Sequence, residues 1–282
     1  MRKIFLILLC ILCFCGCEHK SFFIEDEPKT GEIRAVSLAP SITDMIIALD
    51  GGECLVGVTK FCKNPDKKWT EIGGYMDFSK ETFVSLKPNM VFLAPYHTDA
   101  KEICDEMGIE YTELDLSSFD SIRTNIMTIG RKIGKTDKAC ELINKFNSEM
   151  QSLSPSKKYP KVLIVLDRNY GTEDIGKVYA VGDGGIFARP INLAGGINVY
   201  EGFEETPVLT AEGIVSLNPD VIVDVAREGL PENISRDWEK LNIKAVKNHN
   251  LFVLDGKDAS VPNEKFYETV KKLAEIFSSA KM

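Results

Sequence analysis

The chain has 282 residues, 44% hydrophobic and 27% charged, which is enough apolar material for one large domain or two smaller ones with buried cores. Its formal net charge of −8 argues against a nucleic-acid partner, because neutralising phosphates requires clustered cations.

The chain opens MRKIFLILLCILCFCGC. Arg2 and Lys3 precede an apolar run from Ile4 to about Cys15, too short to span a membrane and shaped like a secretory signal. Its end resembles a bacterial lipoprotein cleavage box, where a small residue precedes a Cys that is then acylated. Cys10, Cys13 and Cys15 follow Leu9, Leu12 and Phe14, all too large, whereas Cys17 follows Gly16. The resemblance implies a signal peptide over 1–16 and lipidation at Cys17, palmitate included; a plain cleaved signal is the alternative. Residues 17–32 are charged, carry Pro28 and Gly31, and read as a lipidated tether. The remaining cysteines, Cys54, Cys62, Cys104 and Cys140, form no CxxC. An extended run separates Cys54 from Cys62, so free buried thiols are expected. A Cys104–Cys140 bridge stays open.

From Arg34 strands and helices alternate. AVSLA is a strand, and PSITDMIIALDGG is a helix with Ser41 as N-cap, Asp44 three residues on and glycines at its end. LVGVT, MVFLA and YTEL are further strands, with AKEICDEMG a helix before the last. This rhythm predicts parallel pairing in an α/β lobe over 33–134. Then Phe119, Ile122, Ile126, Ile129 and Ile133 recur at helical spacing. Thr136 caps a second helical run to Leu153, about 26 Å long, so 135–157 reads as a connecting helix. After Pro160 the α/β rhythm returns: KVLIVLD, YAVGDGG, VIVDVA and NLFVLDG are strands, IFARPINLAGG is a helix with Pro190 in its first turn, and NEKFYETVKKLAEIFSSA closes a lobe over 158–282. The predicted fold is α/β: two parallel-sheet lobes joined by one long helix, with a ligand cleft between them.

One passage recurs. SKETFVSLKPNMVFL at 79–93 is matched by TAEGIVSLNPDVIVD at 210–224. Each copy has an N-cap, Ser79 or Thr210, a Glu two residues later, Glu81 or Glu212, and a Pro before a strand.

These passages, with RAVSLAPSITDMIIALDGG, LVGVTKFCKNP, IGGYMDFSKETFVSLKPNMVFLAP and VGDGGIFARPINLAGGINV, resemble the class III solute-binding proteins of ABC importers, which serve vitamin B12, ferric siderophores and haem. The resemblance runs from Arg34 to the C-terminus. It implies a monomer that delivers a small-molecule metal chelate to a permease dimer with its ATPase, lipid-anchored in the bacterial envelope facing the periplasm or the exterior. It further implies that Glu81 and Glu212 dock onto permease arginines, where carboxylate–guanidinium pairs are bidentate and geometrically demanding.

Ligands of layered α/β lobes sit beyond the C-terminal ends of strands. That rule nominates Pro40, Ser41, Phe61, Tyr96 and His97 in the first lobe. In the second it nominates Arg168, Asn169 and Arg227. By resemblance Tyr75, Tyr179 and the 255–260 loop with Asp258 also face the ligand. The aromatics suit a flat tetrapyrrole, and a corrinoid such as cobalamin is favoured, with a ferric siderophore or haem as alternatives. Haem would need an axial ligand, and Tyr75, Tyr96 or His97 are the candidates. Thr206 stands where the B12 binder's Trp is expected, a departure from the pure B12 pattern. No cofactor and no resident metal are expected, since the body carries only His97 and His249. An enzyme is the rival class, but GxSxG, HExxH and a phosphate loop are all missing. A stand-alone sensor on the same fold is the other rival.

Overall fold

The computed structural model describes residues 32–74, 77–172, 174–226 and 234–282. Cys17, Tyr75 and Arg227, and the side chain of Asp258, lie outside the described residues.

The first sheet has strand order β3-β2-β1-β4-β5 and every pairing is parallel. Its strands are β1 (Ala35–Ser37), β2 (Leu55–Val58), β3 (Thr70–Glu71), β4 (Met90–Leu93) and β5 (Glu110–Glu113). Helices α1 (Pro40–Ala48), α2 (Lys80–Ser85) and α3 (Thr98–Met107) connect them. β1 and β4 are buried along their whole length. Helices on both faces account for this, and such strands read as continuous apolar runs.

The second sheet runs β11-β10-β6-β7-β9, with β8 beside the start of β6. Its strands are β6 (Lys161–Arg168), β7 (Val178–Ala180), β8 (Ile197–Asn198), β9 (Val208–Leu209), β10 (Val221–Ala226) and β11 (Leu251–Asp255). The pairing is mostly parallel, as expected, and β7 is the departure, antiparallel to both β6 and β9. The reason is length. The 169–177 connection is shorter than the dozen or more residues a parallel crossover needs. This lobe carries α6 (Ala188–Leu193), α7 (Ala211–Leu217), α8 (Lys244–Lys247), α9 (Gly256–Ala259) and α10 (Phe266–Ser279).

Between the sheets lie α4 (Ser121–Lys132) and α5 (Thr136–Gln151), packed on each other. Residue Lys135 holds the N-cap position of α5 and Thr136 is its first helical residue, a one-position correction. Phe119 before α4, Phe146 on α5, and Phe187, Phe266 and Tyr267 of the second lobe form a chain of ring contacts 5.7–6.1 Å between centroids. One apolar core therefore runs from α1 through α4 and α5 into α10. Removing a buried Phe from such a seam costs about 3–5 kcal/mol.

The sequence repeat is a structural repeat. The Ser79 hydroxyl accepts from the Thr82 N–H at 3.1 Å, and the Thr210 hydroxyl from the Gly213 N–H at 3.2 Å. Lys87 and Asn218 end the two helices in the left-handed region, at φ 48° and 46°, and the prolines that follow prevent continuation. Next, Asn89 Oδ1 accepts from the Arg34 N–H at 2.9 Å, and Asp220 Oδ2 accepts from the Lys161 N–H at 3.0 Å. In each lobe the residue after the proline thus satisfies the backbone where the central strand begins.

The four described cysteines are free: Cys54 is half-buried, Cys62 and Cys104 buried, and Cys140 exposed. A Cys104–Cys140 bridge is absent, and Cys140 departs from the buried state expected. Burial pushes the Cys54 and Cys104 thiols up to about 11. Among the described residues no helix is long and apolar enough to cross a membrane.

Candidate functional site

A pocket of about 240 Å³ opens where the C-terminal edges of the two sheets face each other. Its first-lobe wall is Ala39, Pro40 and Ser41 at the start of α1, Tyr96 after β4 and Leu116 after β5. Its second-lobe wall is Ser260, Val261 and Pro262, the loop beyond β11 and α9. The strand-end rule that nominated Pro40, Ser41 and Tyr96 would also have reached Leu116, which follows β5. Val261 and Pro262 carry no sequence signal of their own.

Ser41 is not the N-cap of α1. Ala39 occupies that position, with no side-chain capping bond, and Pro40 is the first helical residue. Proline has no N–H to leave unsatisfied there, so the hydroxyl of Ser41 is free of capping duty. Tyr96 is half-exposed, at 52%, with its ring 4.5 Å from that of His97. Partial burial pushes its phenol up, so at neutral pH it presents an uncharged ring.

His97 does not face the pocket. It is 2% exposed, and its Nδ1 accepts from the Ala94 N–H at 2.9 Å, which leaves the proton on Nε2. Burial lowers its pKa, so it is a neutral post that shapes the turn carrying Tyr96. As an axial ligand it is excluded by burial.

Phe61 and Tyr179 are exposed, at 52% and 44%, but lie outside this pocket. Lys60 sits 5.2 Å above the Phe61 ring. Tyr179 pairs with Val208 across β7 and β9, and Asn169 is exposed at the end of β6. The pocket does not bring these three residues together with Tyr96.

Arg168 is a correction. Its side chain is 1% exposed and bound from every side. Nε and Nη2 donate to the two carboxylate oxygens of Asp224, each at 3.0 Å, and Nη1 donates to Asp237 at 2.6 Å and to the Asn169 carbonyl at 3.1 Å. Asp224 also accepts from the Trp238 indole at 3.0 Å, and Asp237 from the Gly171 N–H at 2.9 Å. The guanidinium lies 4.4 Å from the Tyr170 ring centroid and 5.1 Å from that of Trp238. Burying a guanidinium demands partners of this kind, and they leave it no reach toward a ligand. It anchors the 168–171 loop instead.

Glu81 and Glu212 are both exposed, each at the second position of its helix, α2 and α7. Neither has a salt bridge among the described ion pairs.

Two α/β lobes, an apolar helical junction and a pocket walled by both lobes define a two-lobed ligand-binding protein. The chain belongs to the periplasmic binding protein family, whose model matches residues 35–258. It is 28% identical over 264 residues, 89% of this chain and 81% of the relative, to an uncharacterized ABC transporter substrate-binding lipoprotein of Bacillus subtilis. It is 20% identical over 262 residues to the vitamin B12-binding protein of Vibrio campbellii, covering 88% of this chain and 90% of the relative. In structure it is similar to a periplasmic haem-binding protein of Vibrio cholerae, with a TM-score of 0.71 at 18% identity, over 87% of this chain and 97% of that one.

Proposed function

We propose that this protein is the substrate-binding lipoprotein of an ABC importer, and that it captures a metal chelate, a corrinoid such as cobalamin first, between its lobes. One observation carries the reading. Tyr96 presents a half-exposed uncharged ring beside Pro40, facing Ser260–Pro262 of the other lobe across one pocket. A planar chelate entering there buries apolar area against both lobes at once. The pocket is smaller than usual drug-sized sites of about 300–1,000 Å³, so a tetrapyrrole occupies it by one edge and extends toward exposed Phe61 and Tyr179. Names of relatives support an importer and leave corrinoid, haem and siderophore open. The low charge of the described pocket wall, with no Lys, Arg, Asp or Glu, favours a neutral corrinoid face over the propionates of haem.

In this reading residues 1–16 are removed, Cys17 is acylated, 17–32 tether the body, and a monomer docks on a permease dimer with its ATPase. Residues 33–134 and 158–282 are its lobes, and 135–157 connects them. The protein returns its ligand chemically unchanged.

Calorimetric titration of the purified protein with cyanocobalamin, hemin and a ferric siderophore tests the ligand class. Cyanocobalamin is expected to bind with a negative heat-capacity change, and Tyr96→Ala to weaken binding by roughly 2 kcal/mol. Tight siderophore binding with no heat from either tetrapyrrole overturns the chelate assignment and leaves the family untouched.

A further inference from the structure

A second and larger cavity, of about 610 Å³, shares the 259–263 segment with the pocket. It is walled by α1, the loop after β2, α5 and the start of α10, so it too spans both lobes. In its wall Asn263 of the second lobe donates from Nδ2 to Asp44 Oδ2 of the first at 2.9 Å. Asn263 is 8% exposed and rigidly held, because its Oδ1 accepts the Lys265 N–H at 3.0 Å and its carbonyl accepts the Phe266 N–H at 3.1 Å. Its Oδ1 therefore fixes the turn just ahead of α10 while its Nδ2 grips α1.

The position of this bond matters for the pocket. On α1, Asp44 is one turn below Ser41, which lines the ligand pocket. Asn263 directly follows Pro262, which lines the opposite wall. A shift at the bond is transmitted through one helical turn and one peptide to both walls. Next to it sits Glu264, whose Oε2 is buried without a hydrogen-bond partner.

We propose that Asp44 and Asn263 are positioning residues that tie the two walls of the ligand pocket together, and that Glu264 makes this tie dependent on protonation. The proposal rests on reading that pocket as the ligand site. Burial raises the Glu264 pKa first of all, and the Asp44 carboxylate adds to the rise. The charged groups facing it are Asp44 from α1, Lys63 from the loop after β2, Lys145 from α5, and Lys265, Glu268 and Lys272 around the start of α10. Lys265 and Lys63 oppose the rise, and burial outweighs them. A carboxyl whose pKa is raised in the folded state is neutral without penalty at low pH, and the closed arrangement loses stability as pH climbs from the ordinary glutamate value of about 4.3 through the raised one. Ionised Glu264 beside ionised Asp44 then pushes the lobes apart.

The distance measurement needs no ligand. Spin labels on the exposed positions Glu102→Cys and Glu239→Cys, in the mature protein without residues 1–16, with Cys17→Ser and Cys140→Ser, report the distance between lobes. The wild-type distribution is expected to lengthen as pH rises above the ordinary glutamate range, Glu264→Gln to stay short throughout, and Asp44→Asn, which keeps the acceptor and removes the charge, to behave like Glu264→Gln. Asn263→Ala should be long at every pH, and circular dichroism checks that it folds. Cyanocobalamin affinity should fall several-fold with the lengthening in wild type and hold level in Glu264→Gln. An equal pH response in Glu264→Gln, or short distances in Asn263→Ala, overturns the proposal. A distance response without cyanocobalamin binding leaves the tie standing and rejects the ligand.

Discussion

The two lobes agree on one side of their central strands and part company on the other. β1 with β4 and β6 with β10 are built alike: a parallel pair, a capped helix with an exposed Glu, a left-handed residue before Pro, and a side-chain acceptor where the strand begins. At the C-terminal ends of β1 and β6 the chemistry differs. Around β1 the buried polar groups are neutral, with Thr43 donating to Ser37 at 2.8 Å and its hydroxyl oxygen 3.1 Å from the Cys62 sulfur. Around β6 an arginine is locked between two aspartates. The shared half repeats what a helix start and a strand start require of any backbone. The divergent half shows how each lobe holds its own loops.

Breaking that contrast at its strongest point gives the largest effect on stability. Arg168→Met leaves Asp224 and Asp237 buried without their cation, so the midpoint of chemical denaturation should fall by the equivalent of about 3–5 kcal/mol. Ser37→Ala, at the neutral counterpart, should cost about 1 kcal/mol. Equal losses would show that the two strand ends are held by similar forces after all.

The matched glutamates come next, and the proposed docking puts their effect on association with the importer. Glu81→Lys with Glu212→Lys should leave ligand titrations and thermal stability nearly unchanged, since both side chains are exposed. Uptake into liposomes carrying the cognate permease should collapse, at roughly 2–5 kcal/mol for each pair lost. Full uptake by the double variant would reduce the repeat to a folding device.

The smallest effect sharpens the likeness. Ser79→Ala and Thr210→Ala remove capping bonds of 3.1 and 3.2 Å, and each should cost about 1 kcal/mol in thermal denaturation. A large inequality between them would mean that the two helix starts are alike in geometry only.

Much of this was legible in the chain because it depends on near neighbours. Periodicity and glycine stops marked the strands and helices, and the repeated Ser/Thr, Glu and Pro placed two capped helices correctly. The antiparallel β7 was also within reach, since a connection over 169–177 is too short to cross over. Arg168 was misread because a charged residue at a strand end looks the same whether it meets a ligand or two aspartates. Its partners lie 56 and 69 positions further along. His97 failed likewise: only the fold shows that it points inward.

What the sequence by itself determined is the order of elements, the division into two α/β lobes and the two helix starts with their glutamates, since local backbone preferences and apolar periodicity act over a few residues. What only the tertiary structure decided is which strand-end residues meet across the lobes. Ser41 and Pro262, or Asp44 and Asn263, stand some 220 positions apart, at a sequence separation of 219 for the hydrogen-bonded pair. Their meeting depends on how α4, α5 and α10 pack into one core, and that packing sums many contacts that no single stretch of sequence contains.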